Sequence, residues 1–219
     1  MRNLYEGSKY CYENSGTLKN KLDIRDYKQL EKYEAKITAA KSLGLRIKGI
    51  TGDFDKKHYI SIHKYLFEDI YPFAGEFREE NIGKGEFRFA SFEYIEPELD
   101  RLLNELKQEN FLAGLSKQEL AKRLAYYLSE LNVLHPFREG NGRTNREFIR
   151  QLALKNGYVL NLKNTPPQEV LNASIKSVID TTDLEKIIEE MKNMEVLNGE
   201  VQKISARSIK KKIAITIRY

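Results

Sequence analysis

The stretch His135-Pro136-Phe137-Arg138-Glu139-Gly140-Asn141-Gly142-Arg143-Thr144-Asn145-Arg146 collects a histidine, a carboxylate, amides, two glycines and three arginines within twelve residues. It joins a strongly leucine-patterned segment to a second amphipathic segment. So many charged groups and glycines are unsuited to a hydrophobic core. The stretch therefore predicts a functional loop between two helices.

The glycines and arginines of this stretch indicate an anion site. Gly140 and Gly142 allow close backbone approach or positive φ, and Asn141 tolerates the same conformations. A loop that enters a helix near Arg143 points unpaired N–H groups and the positive end of the helix dipole at one place. Arg143 and Arg146 are three apart and share a helix face, where two guanidinium groups suit the oxygens of a polyphosphate.

The carboxylate and the histidine suggest chemistry at that site. Glu139 beside phosphates is explained by Mg²⁺, which typically binds one or two protein carboxylates together with phosphate oxygens. His135 is the side chain of the stretch that accepts a proton near neutral pH. A histidine before proline is, by itself, often a simple turn residue, and a lone arginine is usually a surface charge. Their combination favours the functional interpretation.

The stretch resembles the Fic signature, His-Pro-Phe-x-(Asp/Glu)-Gly-Asn-Gly-Arg-x-x-Arg, with every defining position filled. The resemblance implies transfer of AMP from ATP to a hydroxyl of a target protein. By that resemblance His135 deprotonates the hydroxyl, Glu139 holds Mg²⁺, and Asn141 with the loop amides binds the α-phosphate. Arg143 and Arg146 then bind the β- and γ-phosphates. Gly142 stands where the related Doc kinases carry lysine, which favours nucleotidyl over phosphoryl transfer.

A second region, residues 62–78, is similar to the helix that leads into the flap hairpin of Fic proteins. The hairpin is predicted at about 78–90, with Gly83-Lys84-Gly85 as its turn. Ile82, Lys84 and Phe89 resemble flap positions. A target segment that adds to the hairpin edge as a strand would bring its hydroxyl near His135. The alternative is a hairpin that simply covers the core.

Composition places limits on the class of protein. The 219 residues fit one domain, and Lys+Arg 37 against Asp+Glu 32 gives a net charge of +5. That excess attracts nucleotides or acidic protein surfaces but does not require nucleic acid. Cys11 is the only cysteine, which excludes an intramolecular disulfide and a cysteine zinc site. Without a membrane span or a signal-peptide pattern, a cytoplasmic protein is expected, and delivery into a host cell stays open.

The apolar spacing predicts a mainly α domain over residues 1–195, and the resemblance implies the Fic fold, a helical bundle around the motif loop. Expected features are a helix over about 26–43 ended by Gly44, a helix capped by Asp55, capping boxes at Ser116/Glu119 and Thr182/Glu185, and a helix with Val170, Leu171, Ser174, Ile175 and Val178 facing inward. His58 is expected to be solvated and His63 to be a packed structural residue. Residues 196–219 form a short basic extension with predicted strands around 213–217.

Regulation is predicted from an absent motif. Many Fic proteins resemble one another in carrying an inhibitory (Ser/Thr)-x-x-x-Glu-(Gly/Asn) helix whose glutamate pairs with the second motif arginine. This sequence has no full match, and in the N-terminal helix Ala35 and Ala39 occupy the serine and glutamate positions. We therefore expect Arg146 to be free of a carboxylate from its own chain, so that a separate antitoxin-like protein inhibits it or it is unrestrained.

By this resemblance, the sequence predicts a protein adenylyltransferase that uses ATP and Mg²⁺ and modifies a target protein docked on the flap. Modification of the chain itself is left open. One alternative is a toxin-like partner-binding module with a vestigial nucleotide site. Another is a nucleic-acid-binding protein that uses the basic tail. Self-association into a homo-oligomer is left open.

Overall fold

The computed structural model describes residues 8–85, 87–162 and 165–194. This part of the chain is mainly α-helical, as predicted. Its helices are α1 (Tyr27–Lys48), α2 (Lys56–Phe67), α3 (Ile95–Gln108), α4 (Lys117–Leu134), α5 (Asn141–Lys155), α6 (Pro167–Lys176) and α7 (Thr182–Glu189), with short 3₁₀ turns at Phe92–Tyr94 and Asn110–Leu112. Its short strands are β1 (Gly83–Lys84), β2 (Phe87–Arg88), β3 (Tyr158–Val159) and β4 (Lys192–Asn193).

Side-chain caps begin three of these helices, two of them at the caps that the sequence predicted. Asp26 caps α1, Asp55 caps α2, and Ser116 forms the capping box of α4 with Glu119. The predicted end of α1 is wrong, because the helix continues through Gly44 to its cap at Gly49. A single glycine inside a helix costs only about 1 kcal/mol, too little to stop a helix that packs along its length.

Helix α4 lies at the centre of the core and packs against α3, α5 and α7. The predicted leucine stripe is buried along its whole length, at Leu120, Leu124, Leu128, Leu131 and Leu134. Helix α5 also packs on α2, whose Tyr59, Ile62 and His63 are fully buried. The two helices on either side of the motif are therefore fixed by the same core.

The predicted hairpin is present, but its turn is displaced. Gly83 and Lys84 belong to β1 and pair antiparallel with Arg88 and Phe87, respectively. The chain reverses after Lys84, where Gly85 takes a φ of 61°. A positive φ is most easily adopted by glycine, so the second of the two candidate glycines makes the turn.

Two predictions for the C-terminal helices are wrong. On α6 only Val170 and Ala173 are buried, whereas Leu171, Ile175 and Val178 are exposed and Ser174 is half-buried. The apolar periodicity identified the helix but not which residues a neighbour covers. The capping box at Thr182 is also absent, because Thr182 is the first helical residue and its hydroxyl donates to Asp180.

The chain returns to the core after α7. Strand β4 pairs antiparallel with β3, the strand that follows α5, a pairing the sequence did not suggest. The predicted extension 196–219, with its strands around 213–217, lies outside the described residues. In the part that the structure describes, no helix combines the length and the apolarity needed to cross a membrane.

Candidate active site

The motif loop lies between two helix ends, as predicted. Helix α4 ends at Leu134, and His135 follows in the left-handed conformation with φ 48°. Gly140, with φ 81°, precedes the first turn of α5 at Asn141, slightly earlier than the predicted start near Arg143. The loop thus spans six residues, so that one short connection separates the histidine from the N-terminus of α5.

The His135 ring is held in one orientation. Its Nδ1 lies 3.0 Å from the carbonyl oxygen of Asn132, and the ring stacks on Phe89 at a centroid distance of 3.7 Å. A carbonyl only accepts hydrogen bonds, so Nδ1 carries the proton and Nε2 keeps its lone pair. This tautomer leaves Nε2 able to accept a proton.

The pKa of His135 is lowered to about 4, mainly by burial and also by the nearby positive charges of Arg78 and Lys84, against the opposing hydrogen bond to the Asn132 carbonyl. The imidazole is therefore neutral at pH 7, which is the form that a general base needs before reaction.

The other two histidines have the opposite tautomer. Nδ1 of His63 accepts from the N–H of Gly75 at 2.8 Å, and its Nε2 donates to the carbonyl of Glu139 at 3.0 Å. His63 is a structural residue, as predicted. The expectation for His58 is wrong, because His58 is buried between the Phe54 N–H and the Gln151 side chain.

The start of α5 offers a cradle for an anion. The side chain of Asn141 closes the loop, since its Oδ1 accepts from Phe137 N at 2.8 Å and its Nδ2 donates to Phe137 O at 2.7 Å. Its amide side chain is therefore committed to the loop. The N–H groups of Asn141 and Gly142, the first two of the helix, have no intrahelical acceptor and point out of the helix N-terminus.

Gly140 is sterically required, whereas Gly142 faces a tight contact with a flexible side chain. A Cβ on Gly140 would lie 2.2 Å from the Phe67 ring, and one on Gly142 would lie 3.1 Å from Nη1 of Arg146. A lysine at position 142 would thus crowd an arginine of the site.

Glu139 lies beside this cradle. Its Oε1 accepts from Gly140 N at 2.8 Å and lies 3.4 Å from Nη2 of Arg143. Burial raises the pKa of Glu139, and the neighbouring carboxylate of Glu34 raises it further. Within the described ranges no group of three or more His, Cys, Asp or Glu side chains is placed to hold a metal ion. Glu139 therefore fits Mg²⁺ only if phosphate oxygens complete the coordination, because Mg²⁺ requires six oxygen ligands.

The two motif arginines have different surroundings. Arg143 forms an ion pair with Glu34 of α1, at 2.6 Å between Nη2 and Oε1, and also contacts Thr38 and Phe67. Arg146 is exposed. Across residues 8–85, 87–162 and 165–194, no carboxylate forms an ion pair with Arg146. Ala35 and Ala39 are exposed on α1.

Of the three predicted flap residues, Phe89 is the one that reaches His135. The Ile82 carbonyl accepts from Phe89 N at 3.3 Å, and Lys84 is exposed on β1. Ala90 N donates to the carbonyl of Val133 at 3.1 Å, which fixes the base of the hairpin to the end of α4. The hairpin therefore both covers the histidine and presents an open edge.

The sequence interpretation missed Arg78, which connects the flap to the loop. Its guanidinium donates to the carbonyls of His135 at 2.8 Å, Glu80 at 2.8 Å, Leu134 at 3.2 Å and Ala90, and its backbone N–H donates to Pro136. The side chain is 2% exposed. No periodic pattern marks such a residue, since an arginine next to two glutamates reads as surface charge. The contacts of Glu34 were likewise not predicted.

Comparisons with known proteins agree with this geometry. The family model described as Fic/DOC family matches residues 53–153. The protein adenylyltransferase VbhT of Bartonella schoenbuchensis is 42% identical over 182 residues, which cover 82% of this chain and 38% of VbhT. The probable protein adenylyltransferase y4lH of Sinorhizobium fredii is 37% identical over 185 residues, covering 84% of this chain and 94% of y4lH.

A solved structure has the same fold. The N-terminal Fic domain of a VirB-translocated effector protein from Bartonella quintana, crystallised with bound ADP, superposes with a TM-score of 0.79 at 30% identity. The match covers 86% of this chain and 96% of that one. Since the motif, the fold and a relative matched over nearly its whole length all agree, the chain belongs to the Fic/DOC family.

Proposed function

We propose that this chain is a protein adenylyltransferase, which transfers AMP from ATP to a hydroxyl side chain of a target protein. The observation that carries the proposal is the tautomer of His135, which keeps the Nε2 lone pair, at the start of the short glycine-containing loop that leads into α5. Relatives named as adenylyltransferases and an ADP-bound relative of the same fold support this assignment.

In the proposed reaction the target hydroxyl oxygen attacks the α-phosphorus of ATP. A new P–O bond forms, the bond between the α-phosphorus and the oxygen bridging to the β-phosphorus breaks, and pyrophosphate leaves. The hydroxyl proton passes to Nε2 of His135. Positioning and charge stabilisation account for most of the acceleration in such reactions.

The phosphate groups are assigned to the start of α5. The N–H groups of Asn141 and Gly142 bind the α-phosphate oxygens, with Gly140 allowing close approach, while Arg143 and Arg146 bind the β- and γ-phosphates. Arg146 is well placed for this role because it is exposed and lies one turn into the helix.

Glu139 is the proposed protein ligand for Mg²⁺, which when bound neutralises charge on the phosphates. The raised pKa of Glu139 is consistent with a buried carboxylate that gains from a nearby cation.

The proposal is tested with His135→Ala and ATP labelled on the α-phosphorus, incubated with Mg²⁺ and a cell lysate. We expect the unmodified protein to label itself or a lysate protein and the variant to lose labelling by at least about 10²-fold, the usual contribution of a general base. The variant should keep its ATP affinity. Retained labelling would remove the general-base role, and ATP binding without transfer by the unmodified protein would favour the partner-binding alternative.

The label position tests the role of Gly142. Incubation with ATP labelled on the γ-phosphorus should leave proteins unlabelled, since pyrophosphate carries that label away. Incorporation of the γ-label would indicate phosphoryl transfer instead.

We further propose that the target docks on the hairpin as an added strand. Because Ile82 and Phe89 share a ladder hydrogen bond, the backbone groups of the next pair, Gly83 and Arg88, point to the open edges. Main-chain bonds there would align a target segment beside the His135 ring that Phe89 contacts.

This docking is tested with Arg88→Pro, which removes the edge N–H, and with Arg88→Ala, a matched control that keeps it. Arg88→Pro should abolish labelling of the target while ATP affinity is unchanged, and Arg88→Ala should retain it. Equal labelling by the two variants would exclude strand addition at β2.

We also propose that a separate inhibitory protein acts on Arg146. The exposure of Arg146 and the alanines at positions 35 and 39 support this. A partner that supplies a carboxylate to Arg146 should lose its inhibition in Arg146→Gln, measured on the residual labelling activity of that variant.

A further inference from the structure

We propose that Glu34 of α1 is a positioning residue for Arg143. Its carboxylate keeps the Arg143 guanidinium oriented for the nucleotide phosphates when Glu139 turns to a cation. The inference rests on the proposed function, since it assigns a role in nucleotide binding to a residue outside the motif. It starts from the surroundings of Arg143.

Arg143 is held on several sides. Nη2 lies 2.6 Å from Oε1 of Glu34 and 3.4 Å from Oε1 of Glu139, and Nη1 lies 3.1 Å from the hydroxyl of Thr38. Its guanidinium carbon lies 4.8 Å from the centre of the Phe67 ring. An arginine held in this way loses little further conformational entropy when a ligand binds.

Glu34 is itself fixed in place. Its second carboxylate oxygen accepts from the hydroxyl of Tyr71, and its side chain is 12% exposed. Thr38 follows one turn later on α1 and donates to the Glu34 carbonyl at 2.8 Å, so its lone pairs are available to Arg143. Helix α1, which lies outside residues 53–153, thus contributes two side chains to the motif.

The two carboxylates near Nη2 differ in their distances. The contact of Glu34 is short and that of Glu139 is long. When Glu139 turns to a cation, Arg143 therefore keeps its nearer partner and its orientation. An arginine has five N–H donors, and Glu34, Glu139 and Thr38 use three. Among the contacts of the described residues, two N–H donors of Arg143 are therefore unused and can bind phosphate oxygens.

The test is equilibrium binding of ATP by calorimetry, with Mg²⁺ and with EDTA, to the whole chain and to Glu34→Gln. Loss of the oriented arginine should weaken binding about three- to tenfold under both conditions, the cost of ordering one long side chain. In the labelling reaction the KM for ATP should rise equally, with kcat unchanged within about twofold. Glu31→Gln, an exposed carboxylate of the same helix, is the matched control and should bind as the unmodified protein does.

A second variant covers the case in which Glu34→Gln does not fold. Tyr71→Phe keeps the carboxylate but removes its anchoring donor, and should weaken ATP binding about twofold in the same direction. Unchanged ATP affinity in the folded variants would overturn the proposal. Tighter binding would also overturn it, since it would mean that Glu34 competes with phosphate. If the unmodified protein itself fails to bind ATP, the proposed function fails too, which separates the two ideas.

Discussion

His63 provides a prediction that connects pH, stability and the motif loop. The ring is fully buried, stacks on Phe137 at 3.7 Å, and joins Gly75 to the carbonyl of Glu139. Its Nδ1 accepts a hydrogen bond, so a proton on that atom would break the bond to Gly75. The pKa of His63 is lowered to about 4, mainly by burial and also by nearby Arg143, although the hydrogen bond to the Glu139 carbonyl opposes this.

The direction in which pH changes the folding stability follows from the lowered pKa of His63. The unfolded chain binds a proton near its ordinary pKa of 6.5, whereas the folded chain binds it only near 4. The contribution of neutral His63 to folding stability is therefore complete above pH 6.5 and is lost as the pH falls towards 4. Linkage gives a loss of about 2 kcal/mol between pH 7 and pH 5, and about 3 kcal/mol by pH 4.

The measurement is urea unfolding at pH 7 and pH 5 for the unmodified protein and for His63→Gln, which cannot titrate. The variant should be less stable at pH 7, because it loses the stacked ring, but its stability should fall by about 2 kcal/mol less on acidification. His58, His135 and the carboxylates titrate in both proteins, so their effects cancel in the difference. Equal losses in the two proteins would refute the assignment of a neutral, proton-excluding His63.

Arg78→Met should destabilise the fold by about 3–5 kcal/mol in urea unfolding, because it leaves four carbonyls, one buried and three partly buried, without their donor; a loss below about 1 kcal/mol would contradict the role of Arg78 as the link between flap and loop. Gly140→Ala should cost about 2–4 kcal/mol, since it combines a φ of 81° with a Cβ placed 2.2 Å from Phe67. Gly114→Ala, at φ 83° with open space around it, is its control and should cost only about 1 kcal/mol. Equal costs for the two alanine variants would exclude the steric contact with Phe67.

The fold class and the motif loop were predicted from the sequence because both depend on local patterns. The leucine stripe of α4 has the helical period and the Ser116/Glu119 box fixes the start of that helix. The motif resembles the Fic signature over twelve contiguous residues, so its loop could be predicted without knowing what packs around it. The same reasoning failed at α6, where period alone does not tell which apolar residues a neighbour covers.

The sequence by itself determined which segments are helical, where the motif loop lies, and to which family the motif points. Only the tertiary structure decided that Arg78 joins the flap to the loop and that Glu34 holds Arg143. These contacts join residues that are 57 and 109 positions apart in the chain. The physical reason is that hydrogen bonds and burial depend on distance in space, whereas periodicity and capping report only on neighbours along the chain.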